Sequence, residues 1–304
     1  MNTVADLLKP KPIPFSIEMF PPKGQLTLDA AREVVHGMAA AKPDFISVTC
    51  SAGGSGNGSQ TVEVAALIQA EANIPSVAHL TCINSTRETI DEAIAAMKEA
   101  GIATVLALRG DPIKPIASAS GTDAPSNAEA HRGRTDFSHA CDLIPLLKDA
   151  GFCVGAAAYP EGHIDCLDLE ADVEHLKRKQ DAGADFFITQ LFFDNDDFHR
   201  FRERARAAGI TRPITCGVMP FLGKSQIERM VFMCGSSLPS PIIKLLAHCE
   251  DDPAALRQAG IDYACNQLVD LARNQVDGVH VYSMNHPDIA MAAACALADA
   301  GLRD

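Results

Sequence analysis

Glu18 is the only charged residue in an apolar run, Phe15 to Phe20, which Pro21 and Pro22 bring to a stop. A carboxylate in such a run is either solvated at an edge or held at the mouth of a site, where it can give and take protons. Other short, mainly apolar runs close on polar residues too. In order they are Thr49, His79 with Thr81, Arg109 with Asp111, Tyr159 with Glu161 and His163, Gln190, and Tyr282 with Asn285. One such residue would ordinarily be a satisfied core group. Six of them, Glu18, Thr49, His79, Arg109, Tyr159 and Gln190, point to a shared pocket. Apolar walls there would favour the neutral, proton-donating form of Glu18.

The same residues narrow the chemistry. No lysine ends one of these runs, which argues against a Schiff-base aldolase. The histidines and carboxylates lack the spacing of a metal-dependent hydrolase, so no catalytic metal is indicated. The segment "DLEADVEHLKRK" (168–179) places acids early and Lys177, Arg178 and Lys179 late, which by itself reads as complementarity to a helix dipole. The glycine-rich "SAGGSGNGS" (51–59) is either a flexible loop or a close approach of backbone to a large ligand.

The elements that must position these groups follow from a repeat. Five helical patterns end in nearly the same tripeptide: "EAG" (99–101), "DAG" (149–151, 181–183, 299–301) and "AAG" (207–209). Glycine just past a helix supplies a left-handed cap. Eight strand-like runs alternate with these helices, at 14–20, 44–50, 76–82, 104–110, 153–159, 185–193, 214–220 and 278–284. Ser85 and Glu88 have capping-box spacing at the start of the helix over 85–100. Eight alternations in 304 residues fit a single (β/α)8 barrel domain over residues 1–304, whose site lies at the C-terminal ends of the strands. A doubly wound open sheet is the alternative, but no GxGxxG follows the first strand. Residues 112–136 read as a long loop after strand 4, and residues 235–277 as extra helix between strands 7 and 8.

Composition sets outer limits. A net charge of -13 argues against nucleic acid or anionic membrane as a partner, and no apolar run is long enough to span a bilayer. The ten cysteines form no CxxC pair, and the N-terminal residues lack a signal-peptide core, so a reduced, cytoplasmic protein is expected.

Taken together, "SIEMFPP", "ISVTC", "HLTC", "LALRGDP", "AAYPEGH", "LKRKQDAGADFFITQLFFD" and "YSMN" resemble methylenetetrahydrofolate reductase, in order and over nearly the whole chain. The resemblance is to the short bacterial form. It implies a (β/α)8 barrel carrying noncovalent FAD and interconverting 5,10-methylenetetrahydrofolate and 5-methyltetrahydrofolate by ping-pong kinetics, with NADH or NADPH as co-substrate. It further implies Glu18 as the general acid at N10 of the folate and Asp111 beside the flavin and pterin. Gln190 would contact folate and nicotinamide. Thr49, His79, Arg109, Gly110, Asp111, Ala140, Tyr159, His163, Asp172, Arg178 and Lys179 match FAD-contacting positions, which gives the basic run a pyrophosphate to bind.

Four positions depart from the pattern. His175 stands for an asparagine that contacts FAD and His139 for a tyrosine. Lys224 stands for an aromatic platform that stacks on folate or nicotinamide, unless Phe221 supplies it. His286 stands for an arginine associated with the folate glutamate tail. A homo-oligomer, dimer or tetramer, is also expected. Rival readings are another FAD barrel such as proline dehydrogenase, or a flavin-free folate methyltransferase or folate-binding barrel.

Overall fold

The computed structural model describes residues 3–8, 12–21, 28–50, 58–111 and 136–303. Most of the glycine-rich 51–59 stretch and nearly all of the 112–136 loop lie outside the described residues. In chain order the first half runs α1 (Val4–Leu7), β1 (Phe15–Met19), α2 (Leu28–Ala39), β2 (Phe45–Val48), α3 (Gly58–Leu67), β3 (Ser76–Thr81), α4 (Arg87–Glu99) and β4 (Thr104–Leu108). The second half runs α5 (Ala140–Asp149), β5 (Cys153–Ala158), α6 (Leu169–Asp181), β6 (Phe186–Thr189), α7 (Asn195–Ala207) and β7 (Ile214–Val218). After it come α8 (Lys224–Cys234), α9 (Ser240–His248), α10 (Pro253–Arg273), β8 (Val279–Tyr282) and α11 (Pro287–Asp299).

All eight strands are parallel, and β8 pairs with β1 to close the barrel. The five expected caps are in place: Gly101, Gly151, Gly183, Gly209 and Gly301 have φ between +69° and +116°. Each turns the chain out of a helix through a conformation that a side chain would strain. Helices α9 and α10 account for the extra helix expected over 235–277. Among the described residues no helix is long and apolar enough to cross a membrane.

Two sequence expectations are corrected. The N-cap of α4 is Thr86, not Ser85. Thr86 Oγ1 accepts from the Thr89 N–H at 3.3 Å, and Thr89 Oγ1 accepts from the Thr86 N–H at 3.0 Å. Ser85 instead turns its hydroxyl back to the Thr81 carbonyl at 3.4 Å. The sixth strand stops at Thr189 and does not run to 193, because the Gln190 side chain takes the next backbone donor, Leu191 N–H, at 2.9 Å.

Alternation along the strands divides the barrel interior. At the N-terminal ends Phe45, Val77, Leu106, Cys153, Phe186 and Ile188 pack together, and Val4 and Leu8 of the N-terminal segment plug the opening. A larger apolar shell lies between the outer strand faces and the helices. The closing seam is reinforced from the far end of the chain. Arg303 donates to the Ile13 carbonyl at 2.8 Å, pairs with Asp44 at 2.5 Å, and lies over the Phe15 ring.

Candidate functional site

Glu18 points into the upper barrel because it lies two residues beyond Ser16, which also faces the interior. In the closed sheet it stands opposite Ser47 on one side and Tyr282 on the other. One carboxylate oxygen, Oε2, is 3.6 Å from His79 Nε2 and 3.7 Å from His280 Nε2. His280 is fully buried, with Nδ1 2.7 Å from Ser16 Oγ and Nε2 3.4 Å from Ser47 Oγ. Burial pulls His79 down to a pKa of about 4, helped by His280 and opposed by Glu18, so it is neutral at neutral pH. The carboxylate thus faces two imidazoles and hydroxyls, not the apolar walls expected from sequence.

Backbone contacts fix where this strand ends. Ser283 Oγ donates to the Glu18 carbonyl at 2.7 Å. Asn285 clamps Phe20, accepting from its N–H at 2.9 Å and donating to its carbonyl at 2.8 Å. The clamp requires Met284 and Asn285 at φ +53° and +60°. Such left-handed residues cost about 1–3 kcal/mol each and persist where their surroundings over-determine them.

A second group gathers beside the first. Lys179, on the last turn of α6, donates to the Ala157 carbonyl at 2.8 Å and lies 5.1 Å over the Tyr159 ring. Tyr159 meets His163 edge-on at 4.7 Å. Arg109, just past β4, pairs with Asp165 at 2.9 Å, and His163 Nδ1 accepts from the Asp165 N–H at 3.0 Å. Burial pushes Tyr159 up to about 12, with Asp172 adding to it. It also pulls His163 down, and Arg109 reinforces that shift. Burial pushes Asp172 up against the pull of Lys179, and pulls Lys179 down against the pull of Asp172. Their mutual attraction therefore offsets desolvation only in part.

The other expected residues fall around these two groups. Thr49 lies just past β2, with its carbonyl held by Thr61 Oγ1 at 3.0 Å. Gly110 has φ +81°, and a Cβ there would meet Thr81 at 2.9 Å, so Asp111 follows on a sharply turned, exposed backbone. Ala140 is buried at the first position of α5, after the N-cap residue His139. Its neighbour Cys141 feels the charges of Lys179 and Arg178, which sets this helix start against the cations of α6. His175 and Arg178 are exposed on α6. Gln190 has its oxygen bonded to Leu191 N–H, and its amide NH2 has no partner among the described residues.

Tyr282 completes the wall nearest Glu18. Its hydroxyl donates to the Thr189 carbonyl at 2.5 Å, and burial raises its pKa well above the ordinary value, with Glu18 adding to the shift. The ring fits because residue 217 is glycine. A Cβ there would lie 2.6 Å from it.

Two expected residues stay at the rim. Lys224 opens α8 exposed, with Nζ 3.3 Å from Glu250. His286 is the exposed N-cap residue of α11 and makes no side-chain cap bond. Phe221 is fully buried, 6.2 Å from the Tyr263 ring, so it supplies no platform in place of Lys224.

Sequence reasoning missed Ser16, His280 and Asp165. Ser16 and His280 carried one usable signal: each lies two residues before a residue assigned to the mouth, Glu18 or Tyr282, and therefore on the same strand face.

The family model and the sequence relatives agree on one family. The family model described as Methylenetetrahydrofolate reductase matches residues 3–296. The 5,10-methylenetetrahydrofolate reductase of Pectobacterium carotovorum subsp. carotovorum is 32% identical over 278 residues, covering 91% of this chain and 87% of that protein. That of Salmonella typhimurium is likewise 32% identical, covering 91% and 88%. Methylenetetrahydrofolate reductase 1 of Schizosaccharomyces pombe is 32% identical over 90% of this chain, but the chain spans only 44% of that longer protein. In fold the chain is similar to a Clostridium thermocellum protein described as binding two copies of 5-methyl-5,6,7,8-tetrahydrofolic acid, with a TM-score of 0.62, 15% identity and coverage of 98% and 100%. With a family match across nearly the whole sequence and bacterial relatives aligned over most of both chains, this protein belongs to the methylenetetrahydrofolate reductase family.

Proposed function

We propose that the chain is one catalytic barrel that interconverts 5,10-methylenetetrahydrofolate and 5-methyltetrahydrofolate, using FAD and a nicotinamide. The observation that carries this reading is the placement of the Glu18 carboxylate between His79 and His280 inside the barrel, at the C-terminal half of β1.

The donor set suits a flavin dinucleotide. Lys179, Arg178 and Arg109 offer cations for a pyrophosphate, and Tyr159 and His163 offer aromatic surface. Thr49, His79, Gly110, Asp111, Ala140, Asp172 and His175 complete the residues that would hold it. When bound, FAD supplies hydride transfer between a nicotinamide and the one-carbon unit.

The chain's own groups do the rest. Glu18 holds the proton that N10 of the folate needs, because an amine leaves poorly unless protonated. In the reverse direction the carboxylate takes that proton back. His79 and His280 flank the carboxylate at 3.6 and 3.7 Å, and His280 is fixed in turn by Ser16. Asp111, exposed beyond Gly110, reaches for the pterin. The NH2 of Gln190, without a partner among the described residues, serves the bound substrate, as do Lys224 and His286. NADH or NADPH is the electron partner, and the chain works in the cytoplasm as a homo-oligomer, a dimer or tetramer.

The test is direct. Purified protein should be yellow and release FAD, not FMN, on denaturation, and Lys179→Glu should lose most of that flavin. Colourless protein that takes up no added FAD would overturn the reading.

A further inference from the structure

One group of side chains flanking the mouth has a ligand chemistry of its own. Cys166 lies in the turn after β5, where its N–H donates to the His163 carbonyl at 2.7 Å. Asp172 and His175 are three residues apart on α6 and so share a helix face. The Cys166 sulfur, an Asp172 carboxylate oxygen and a His175 imidazole nitrogen all lie within 4.8 Å of one another. Among the described residues no other set of three His, Cys, Asp or Glu side chains is grouped in this way.

The donor types select the ion. Thiolate, imidazole and carboxylate are zinc ligands, whereas magnesium and calcium take oxygen. Bonds to zinc of about 2.0–2.3 Å need the three atoms slightly closer together than they stand. Rotation of the partly exposed Cys166 and the exposed His175 toward the buried Asp172 supplies that movement. The exposed side leaves a fourth position for water. Charge is no obstacle, although Lys179 and Arg109 are near. Thiolate and carboxylate cancel the charge of a dication, Lys179 is bonded to the Ala157 carbonyl, and Arg109 is paired with Asp165.

We infer that Cys166, Asp172 and His175 form a zinc site, and that zinc and the flavin exclude each other because Asp172 and His175 serve both. The site itself is independent of the flavin reading. The exclusion rests on it.

Calorimetric titration of Zn2+ into the full chain, under reducing conditions and after flavin removal, tests both parts. One ion per chain should bind. Cys166→Ala and His175→Ala should each weaken binding by at least about tenfold, since even outer partners of a metal site are worth that much. The exposed-cysteine control Cys295→Ala should change nothing. No stoichiometric binding, or equal binding to Cys166→Ala, would overturn the site. Zinc should also weaken FAD uptake about tenfold in the wild type but not in Cys166→Ala, and uptake indifferent to zinc would overturn the exclusion. Protein that shows the zinc pattern yet never takes up FAD supports the site and refutes the flavin reading alone.

Discussion

The lower and upper parts of the barrel interior are built by the same inward alternation, and on β2 and β3 by the same strands, yet they are filled with opposite chemistry. Below, Phe45, Val77, Leu106, Cys153, Phe186 and Ile188 seal against Val4 and Leu8. Above, Ser47 and His79 stand two residues beyond Phe45 and Val77 on β2 and β3, and Ser16, Glu18 and His280 join them from β1 and β8; Ser16, Ser47 and His280 are fully buried. Burying apolar rings stabilises a fold, whereas burying polar groups costs free energy unless they are paired. His79 Nε2 has no hydrogen-bond partner in its buried position. The upper half therefore weakens the fold in order to hold a carboxylate in a defined place, and the lower half compensates.

Substitutions that separate the two halves test this division. The largest effect should come from Glu18→Gln, which keeps the shape of the side chain but cannot donate the proton. Folate turnover should fall by roughly 10²–10⁴-fold, the range for general acid catalysis. Reduction of the bound flavin by NADH, followed in a stopped-flow instrument, should be nearly unchanged. If both half-reactions slow equally, Glu18 belongs to the scaffold.

The next effect should be the converse. Phe186→Ala in the lower half should lower stability by about 3–5 kcal/mol in urea unfolding. Turnover per folded molecule should stay within a few-fold of wild type. A selective loss of turnover without loss of stability would break the division between the halves.

The smallest effect concerns acid. The folded-state pKa of His79, about 4, lies below its ordinary 6.5, so the unfolded chain takes up the proton first. Stability from this residue is complete above about pH 6.5 and declines as the pH falls toward 4, by on the order of 3 kcal/mol in full. His79→Gln cannot titrate, so its unfolding free energy should depend less on pH between 7 and 4.5. An identical acid slope in both proteins would assign the sensitivity to another group.

Much of the fold was legible because its signals are local. Each strand is a short apolar run, and each glycine cap sits beside the helix that it ends. Strand ends were less legible, since the end of β6 depends on where the Gln190 side chain turns. The site was legible as a set of strand-terminal residues but not as an arrangement. His280 sits between Val279 and Val281 and reads as core, and only closure of β8 onto β1 sets it opposite Ser16 and beneath Glu18. Arg109 and Asp165 meet across 56 residues of chain, and nothing in either segment announces the other.

That closure has a consequence in time as well as space. His280 and Tyr282 leave the ribosome more than 260 residues after their neighbour Glu18. At roughly 5–20 residues per second, the first strand waits on the order of tens of seconds for its partner. Contacts this distant in sequence also form slowly once both strands are made. Throughout that interval one edge of β1 lacks its ladder partner and is open to pairing with other nascent chains. The pocket around Glu18 is thus among the last parts of the barrel to form, and its appearance reports that the barrel has closed.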